Sequence, residues 1–220
     1  MNVATFSKYV QRHGVLRTVR HYSLRLLRRL VDFEVLRVEA ASEASPTGSS
    51  TVAGYVTRTV TAAEYAAGVE ALAGDHDRPW AFDRRDICLG TFFGDALVGY
   101  NFYSHDRTIH KPGLDFRFPD GFTYLFAVFT DPAHRGRQLV TARANKRREI
   151  DQLQGVSRRV LGIIAVDNDA SRAAYRHLTE ERIGYVAYVK IRSRYHCFAS
   201  PACKCAGIGF VDTAWSAQHQ

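Results

Sequence analysis

Two polar segments of the sequence combine residue types that could carry chemistry, and each follows an apolar run. The first is the turn Arg135-Gly136-Arg137, which comes after Pro132 and opens a helical pattern. A helix start presents unpaired backbone N–H groups and the positive end of the helix dipole, so a basic turn there suits a pyrophosphate. The helical pattern adds further basic residues that could meet phosphate charge: Arg143, Lys146, Arg147 and Arg148. An ordinary strand-to-helix turn with a solvated basic face explains this segment equally well.

The second segment begins at Asn168, where a buried-looking β run ends, and continues through Ser171 to Tyr175. Ser171 and Tyr175 are four residues apart, so they share one face of the predicted helix. Taken singly, Ser171 is explained as a helix cap and Tyr175 as a core aromatic residue. Only the combination of the two segments favours a functional interpretation.

Together the two segments resemble motifs of the GNAT superfamily of N-acyltransferases, in the expected order. Residues 135–140 resemble the coenzyme A loop, usually written Q/R-x-x-G-x-G/A. Asn168, Ser171 and Tyr175 resemble the next motif, and Ile183-Gly184-Tyr185 stands where the family often has Leu-Gly-Phe. The resemblance covers residues 55–195. It implies direct transfer of an acetyl or other acyl group from coenzyme A to an amine, without a metal.

The resemblance also implies a role for each residue. Tyr175 would be the catalytic acid, because the unperturbed tyrosine pKa of about 10 keeps it protonated at neutral pH. The acyl thioester would lie between the strands ending at Thr130 and Val166. The implied donor-binding residues are Val128, Thr130, Arg135, Gly136, Arg137, Gln138, Leu139, Val140, Asn168 and Ser171. The acceptor amine is left open: a small amine, an amino sugar, a peptide terminus or a lysine.

One departure from the motif bears on activity. Gln138 and Val140 occupy the two later positions where the family has glycine or alanine, and small residues let the backbone approach the phosphates closely. Their β-carbons would crowd the pyrophosphate. A degenerate relative that binds a ligand without catalysis is therefore an alternative, as is an enzyme whose acyl donor is bound to a carrier protein.

The general base is not identified by the sequence. The strand predicted at 122–130 contains no carboxylate. The candidates lie in the segment before it and are His105, Asp106, His110 and Asp115, with a chain of water molecules as the alternative. Each of the four is also explained as an ordinary loop residue.

The elements that position these motifs alternate between strands and helices. Strands are predicted at 33–39, 55–60, 87–93, 96–104, 122–130, 159–166 and 184–195, with helices at 61–72, within 135–153 and at 170–178. This order predicts an α/β (α+β) fold, a mixed sheet flanked by helices. The predicted organisation is an appendage over residues 1–40, a linker over 41–54, the acyltransferase domain over 55–195 and a tail over 196–220.

The N-terminal appendage holds nearly all of the net charge. Residues 1–30 contain seven Lys and Arg and no acid, within a net charge of +8. The pattern at 3–31 predicts an amphipathic helix with Leu and Tyr on one side. Such a helix could bind nucleic acid or an anionic membrane, with the rest of the chain as a ligand sensor, or its apolar stripe could pack on the domain or on a second subunit. No motif for specific nucleic-acid recognition accompanies it.

Cysteine usage and hydropathy predict a cytoplasmic protein, either free or peripherally bound to a membrane. No apolar run approaches the length of about 20 residues needed to cross a bilayer, and we recognise no secretory signal. Cys197, Cys203 and Cys205 lack the spacing of common zinc sites, so we expect reduced structural thiols there.

Overall fold

The computed structural model describes residues 10–11, 14–41, 50–73, 76, 78–175 and 181–213. The strands are β1 Phe33–Ala41, β2 Val56–Thr59, β3 Ile87–Phe93, β4 Ala96–Ser104, β5 Thr108–Lys111, β6 Leu114–Arg117, β7 Phe122–Thr130, β8 Arg159–Ala165, β9 Glu181–Ile191, β10 Arg194–Ala199 and β11 Gly209–Asp212. The helices are α1 Val15–Leu30, α2 Ala62–Val69, α3 Pro79–Asp83, α4 Leu139–Leu153, α5 Asp169–Tyr175 and α6 Pro201–Cys205, with a 3-10 turn at Pro132–His134.

Eight strands form one mixed sheet in the order β10-β9-β1-β8-β7-β4-β3-β2. Strands β7 and β8 run parallel, and the other neighbouring pairs of this sheet run antiparallel. A second sheet has the order β11-β6-β5. The predicted fold class, a mixed sheet flanked by helices, is confirmed.

Several local predictions are also confirmed. The hairpin of β3 and β4 turns at Gly94-Asp95, as expected. Thr61 caps α2 with a capping box, because its hydroxyl accepts from the Glu64 N–H while the Glu64 carboxylate accepts from the Thr61 N–H.

The N-terminal helix predicted at residues 3–31 stays a prediction over its full length. Helix α1 begins after Gly14, whose φ of 80° is the left-handed conformation that glycine tolerates. Residues 3–9 and 12–13 of the predicted helix lie outside the described part of the chain.

The strand β1 differs from its predicted place in an N-terminal appendage. It lies inside the main sheet, paired with β8 from Leu36↔Ala165 to Ala41↔Val160 and with β9 on its other edge. Its inward-facing Leu36, Val38 and Ala40 belong to the core. The segment before the predicted linker therefore contributes to the same folded body as residues 55–195.

The C-terminal region is more elaborate than predicted. The single strand expected at 184–195 is a hairpin, because Arg192 turns the chain with a left-handed φ of 57°. Residues expected to form a tail supply β10, α6 and β11. Strand β11 pairs with β6, within a segment that the sequence had suggested to be loop. Short strands with few alternating residues give a weak sequence signal, which explains both differences.

One face of the main sheet carries an aromatic core. Tyr124 and Phe126 of β7 stack on this face, and Trp80 of α3 stacks on Phe126. Because side chains alternate along a strand, Leu125 lies on the opposite face. There it packs in a smaller cluster that also contains Leu89, Tyr103, Ile164 and Tyr175. This second face, beside α4 and α5, is the one that bears the sequence motifs.

Candidate active site

The parallel strands β7 and β8 separate at their carboxyl ends. They pair from Phe122↔Arg159 to Leu125↔Gly162, yet β7 continues to Thr130 and β8 to Ala165. Past this register, no described residue pair joins the two strands. The edges of residues 126–128 and 163–165 that face each other thus lack a strand partner and are available to an extended ligand inserted between the strands, whereas the Phe129 and Thr130 carbonyls accept hydrogen bonds from the side chains of Arg143 and Arg135.

A bulge in β7 accompanies this separation. The pairing of β7 with β4 shifts register between Tyr100↔Phe129 and Phe102↔Phe126, which leaves one extra residue on β7. Ala127 within the bulge has a φ of 49°, an uncommon value for a residue with a β-carbon. Bulges bend a strand and increase its twist, and this one lies directly after the last residue of β7 that pairs with β8.

A pocket lies where the strands part. Its walls come from the last paired residues of the strands, from α4 and α5, and from β1. The lining residues are Ala41, Leu125, Ala144, Arg148, Val160, Gly162 and Tyr175. The pocket therefore brings Tyr175 to the inner end of the gap between β7 and β8.

Tyr175 is held against the backbone of β8. A β-carbon at Gly162 would lie 3.3 Å from its Cε1 atom, so glycine permits the close approach of the ring. Tyr175 is 8% exposed. Burial raises its pKa above the ordinary tyrosine value, nearby Tyr103 raises it further, and the positive charge of Arg143 partly opposes the shift. The phenol is therefore protonated at neutral pH.

Asn168 begins the helix that carries Tyr175. Its Oδ1 atom accepts from the backbone N–H of Ser171 at 3.0 Å, and its carbonyl accepts from the N–H of Arg172. This is the usual arrangement of a helix N-cap. Asn168 thus fixes where α5 starts, which in turn sets the position of Tyr175 about two turns later.

The basic turn enters α4 beside the open end of β7. Arg135, Gly136, Arg137 and Gln138 are exposed. The Nε atom of Arg135 donates to the Thr130 carbonyl at 3.0 Å, and the guanidinium of Arg137 lies over the ring of Tyr55. The first described backbone bond of α4 runs from the Ala142 N–H to the Gln138 carbonyl, so the N–H groups before it are free of intrahelical bonds.

Gln138 adopts a conformation that usually belongs to glycine. Its φ of 58° and ψ of 22° are left-handed, which costs an L-residue about 1–2 kcal/mol. The family motif resembled by residues 135–140 has glycine at this position. The substitution leaves the backbone path of the loop in place and adds strain together with a side chain.

We expect Gln138→Gly to tighten acetyl-CoA binding a few-fold and to leave the protein as stable or slightly more stable. The replacement relieves left-handed strain of about 1–2 kcal/mol. Glycine also gives the unfolded chain more conformational entropy, which opposes this gain by about 0.4–1 kcal/mol. Titration calorimetry and thermal unfolding measure the two effects. The control is Val140→Ala, which shortens a side chain in the first turn of α4 without any change of backbone strain. Weaker binding by Gln138→Gly would show that the side chain aids the donor.

Two of the basic residues expected to meet phosphate charge are instead buried. Arg143 and Arg147 are 0% and 1% exposed. Arg147 pairs with Asp151 at 2.5 Å. The prediction that they bind phosphate is wrong, because both face the sheet. Lys146 pairs with Glu149 and Arg148 donates to Asn145, both on the helix itself, although Arg148 also reaches the pocket.

None of the four candidate bases lines the pocket. His105 lies at the far end of β7, where its Nε2 atom accepts from Arg147 and its Nδ1 atom is 3.1 Å from the Thr123 hydroxyl. Burial, with Arg147 and Arg158 nearby, lowers the pKa of His105 to about 4, which makes it a weak base.

The other three candidates are engaged elsewhere. His110 contacts Glu34 at 3.1 Å. Asp106 accepts from the Arg107 N–H, and Asp115 pairs with the Arg107 side chain. The partner of His110 lies on β1, 76 residues away, and could not be predicted from the local sequence.

The described residues were also considered as metal ligands and as membrane-spanning helices. Among the residues that the structure describes, no group of three or more His, Cys, Asp or Glu could hold a metal ion. No helix within the described ranges is both long and apolar enough to cross a bilayer. The four cysteines are free thiols; Cys88 and Cys203 are buried, and burial raises the pKa of Cys88 to about 12.

Comparison with protein families gives one match. A family model described as the acetyltransferase (GNAT) family matches residues 57–179, more than half of the chain. A search of curated proteins found no match. The matched region contains the separated strands, the basic turn and Tyr175.

Solved structures give similar folds. A tandem GNAT protein from the clavulanic acid biosynthesis pathway has a TM-score of 0.51 at 19% identity, over 72% of this chain and 54% of that one. A putative GNAT acetyltransferase from Novosphingobium aromaticivorans has a TM-score of 0.47 at 16% identity, over 70% and 62%. AAC(6')-Iy in complex with the bisubstrate analogue CoA-S-monomethyl-acetylneamine has a TM-score of 0.44 at 15% identity, over 58% and 92%. The chain spans only 54% and 62% of the first two.

Proposed function

This chain belongs to the acetyltransferase (GNAT) family, and from that premise we propose that it transfers an acyl group, most simply acetyl, from coenzyme A to an amine. The donor's pantetheine arm would lie between β7 and β8 along Val128 and Thr130. Its pyrophosphate would lie on the N–H groups of residues 136–140. Asn168 and Ser171 would border the donor site from the start of α5.

The separated strands are the single observation that carries this proposal. Parallel strands that part after Leu125↔Gly162 offer unpaired backbone groups to an extended ligand with amide bonds. The gap begins beside Tyr175 and leads towards the basic turn at the start of α4. A pantetheine chain ending in a pyrophosphate matches this layout of hydrogen-bonding groups followed by positive charge.

The chemistry requires one proton donor at the leaving group. The nitrogen of an unprotonated amine attacks the thioester carbonyl, the C–N bond forms, the C–S bond breaks and the sulfur departs as a thiolate. Tyr175 would protonate that sulfur, and its raised pKa keeps the phenol protonated for the purpose. The nitrogen, now positively charged, loses one proton to water and becomes the amide nitrogen, and the phenolate left after protonation of the sulfur regains a proton from solvent. The rest of the rate acceleration would come from holding the two reactants next to each other in the gap.

The test of activity is thiol release from acetyl-CoA and longer acyl-CoAs over a panel of small amines, amino sugars, peptides with a free N-terminus and lysine peptides. We expect amine-dependent release with at least one acceptor class. Donor binding without release across the panel would favour a non-catalytic relative. Thiol release only when the acyl group is supplied on an acyl carrier protein in place of coenzyme A would favour a carrier-bound donor.

The exposed stripe of α1 supports a second proposal, peripheral binding to an anionic membrane. Large apolar side chains along this helix remain exposed in the folded chain, among them Leu16 at 87%, Leu30 at 76% and Leu26 at 61%. The helix sequence contains five arginines and no acid. Apolar exposure beside net positive charge is the profile of an interfacial helix.

We expect the intact protein to sediment with vesicles that contain phosphatidylglycerol and to be released by salt. Each Arg near such a surface contributes about 1 kcal/mol, and the attraction fades within a Debye length of about 8–10 Å. Deleting residues 1–31 should abolish sedimentation and preserve acetyl-CoA binding. The deletion must stop before β1, because β1 lies inside the main sheet. The competing result is that the intact protein is a dimer that stays in the supernatant, and that the deletion variant is a monomer. This result would show that the exposed stripe of α1 contacts a second copy of the chain.

A further inference from the structure

A guanidinium group is buried beneath the end of β7. Arg143 of α4 is 0% exposed, and it donates hydrogen bonds to four oxygen atoms on three strands. Its Nε atom donates to Asn101 Oδ1 of β4 at 2.5 Å, Nη1 to Thr91 Oγ1 of β3 at 3.1 Å, and Nη2 to the Phe129 carbonyl at 3.0 Å and Thr130 Oγ1 of β7 at 3.1 Å. One side chain therefore links α4 to the strand edge beside the gap.

All four acceptors are neutral. Within the described ranges, Arg143 forms no ion pair with a carboxylate. Taking a charge out of water is unfavourable by several kcal/mol unless its surroundings compensate. An apolar side chain would fill the same volume without that penalty. The presence of a charged side chain here indicates that Arg143 contributes through its four directed hydrogen bonds and not through the volume that it fills.

The backbone around Arg143 leaves room for it. A β-carbon at Gly99 of β4 would lie 2.7 Å from Arg143 Nη1 and 3.0 Å from the Phe129 carbonyl oxygen. Glycine at this position thus permits the guanidinium and the Phe129 carbonyl to approach the same strand. The arrangement is built from α4, β3, β4 and β7 together.

The part of β7 that Arg143 contacts lacks one neighbouring strand. Beyond Leu125 the strand no longer pairs with β8, and the bulge at Ala127 interrupts its pairing with β4. Fewer ladder hydrogen bonds fix this segment than fix the first half of β7. The two bonds from Arg143 Nη2 add constraints where the ladder is weakest.

We propose that Arg143 is a positioning residue for the acyl donor, which fixes Phe129 and Thr130 at the separation from β8 that the pantetheine arm needs. This inference rests on the proposed function, because it assigns the end of β7 as the donor's contact edge. Arg143 does not touch the donor; it acts through the strand.

Two matched substitutions separate positioning from simple stabilisation. Thr130→Val and Thr91→Val each remove one neutral acceptor from the same guanidinium, the first at the donor edge and the second two strands further away. We expect similar losses of melting temperature, a few degrees each for a chain of this size. Only Thr130→Val should weaken acetyl-CoA binding, by roughly tenfold in calorimetry.

Arg143→Lys supplies the second comparison, because lysine keeps the charge and loses the forked geometry. It should weaken donor binding to a similar degree, and the double variant Thr130→Val/Arg143→Lys should be little weaker than either single variant, since both remove the same constraint. Equal affinities of Thr130→Val and Thr91→Val, or fully additive losses in the double variant, would overturn the proposal. If the unmutated protein fails to bind acetyl-CoA, the proposed function itself is wrong.

Discussion

Replacing Tyr175 with Phe should lower the turnover number by roughly 10²-fold, at the low end of general acid–base effects, and leave acetyl-CoA affinity almost unchanged. Phenylalanine keeps the ring that packs on Gly162 and removes only the hydroxyl that would protonate the departing thiolate. Steady-state kinetics with a responsive amine and calorimetric titration with acetyl-CoA measure the two quantities. A fall in turnover without a fall in affinity identifies an interaction made in the transition state.

The pH dependence provides an independent check on the same residue. Because burial raises the pKa of Tyr175 above its ordinary value of about 10, the acid stays protonated throughout the neutral and mildly alkaline range. The rate should rise with pH as the acceptor amine loses its proton and should not decline below about pH 10. The matched control is Tyr103→Phe, which removes a buried hydroxyl in the same cluster. Equal losses in both variants, or unchanged turnover in Tyr175→Phe, would make Tyr175 a packing residue.

Reversing the charge of the basic turn should have the largest effect on donor binding. Arg135 and Arg137 are exposed beside the free N–H groups that open α4. A hydrogen bond to a charged group contributes about 1.5–3 kcal/mol. The double substitution Arg135→Glu/Arg137→Glu should therefore weaken acetyl-CoA binding by at least about 10²-fold, since each 1.4 kcal/mol is tenfold.

Salt dependence distinguishes a phosphate contact from a general loss of structure. Binding by the unmutated protein should weaken as ionic strength rises, and binding by the double variant should respond less, because exposed charges are screened. The control is Arg158→Glu/Arg159→Glu, a charge reversal of equal size at the opposite end of β8. Equal weakening by the two double variants would show that net charge, and not the basic turn, governs affinity.

Much of the fold was predictable because its strongest elements have clear local signals. The strand at β7 and the hairpin of β3 and β4 are long and apolar, and their predicted bounds match the structure. The short strands β5, β6 and β11 were missed, because four residues carry too little alternation to distinguish a strand from a loop. The pairing of β6 with β11 joins segments about 100 residues apart, which no local pattern encodes.

The site was predictable only where spacing along one helix decides the geometry. The relative positions of Asn168 and Tyr175 could be predicted because a helix fixes the distance between them. The burial of Arg143 could not be foreseen, because basic residues at such positions usually lie on a solvated face. Its acceptors belong to three strands that are distant in sequence. The hydrogen bonding of His105 likewise depends on Arg147, which lies on α4.

Calorimetric titration of the unmutated protein with acetyl-CoA tests the central claim most directly, since every proposed role assumes a donor between β7 and β8. We predict one binding site per chain, with a dissociation constant below the millimolar range, affinity that falls with added salt, and loss of binding in Arg135→Glu/Arg137→Glu. Absence of detectable binding at millimolar acetyl-CoA, to protein that is folded by circular dichroism, would contradict the account.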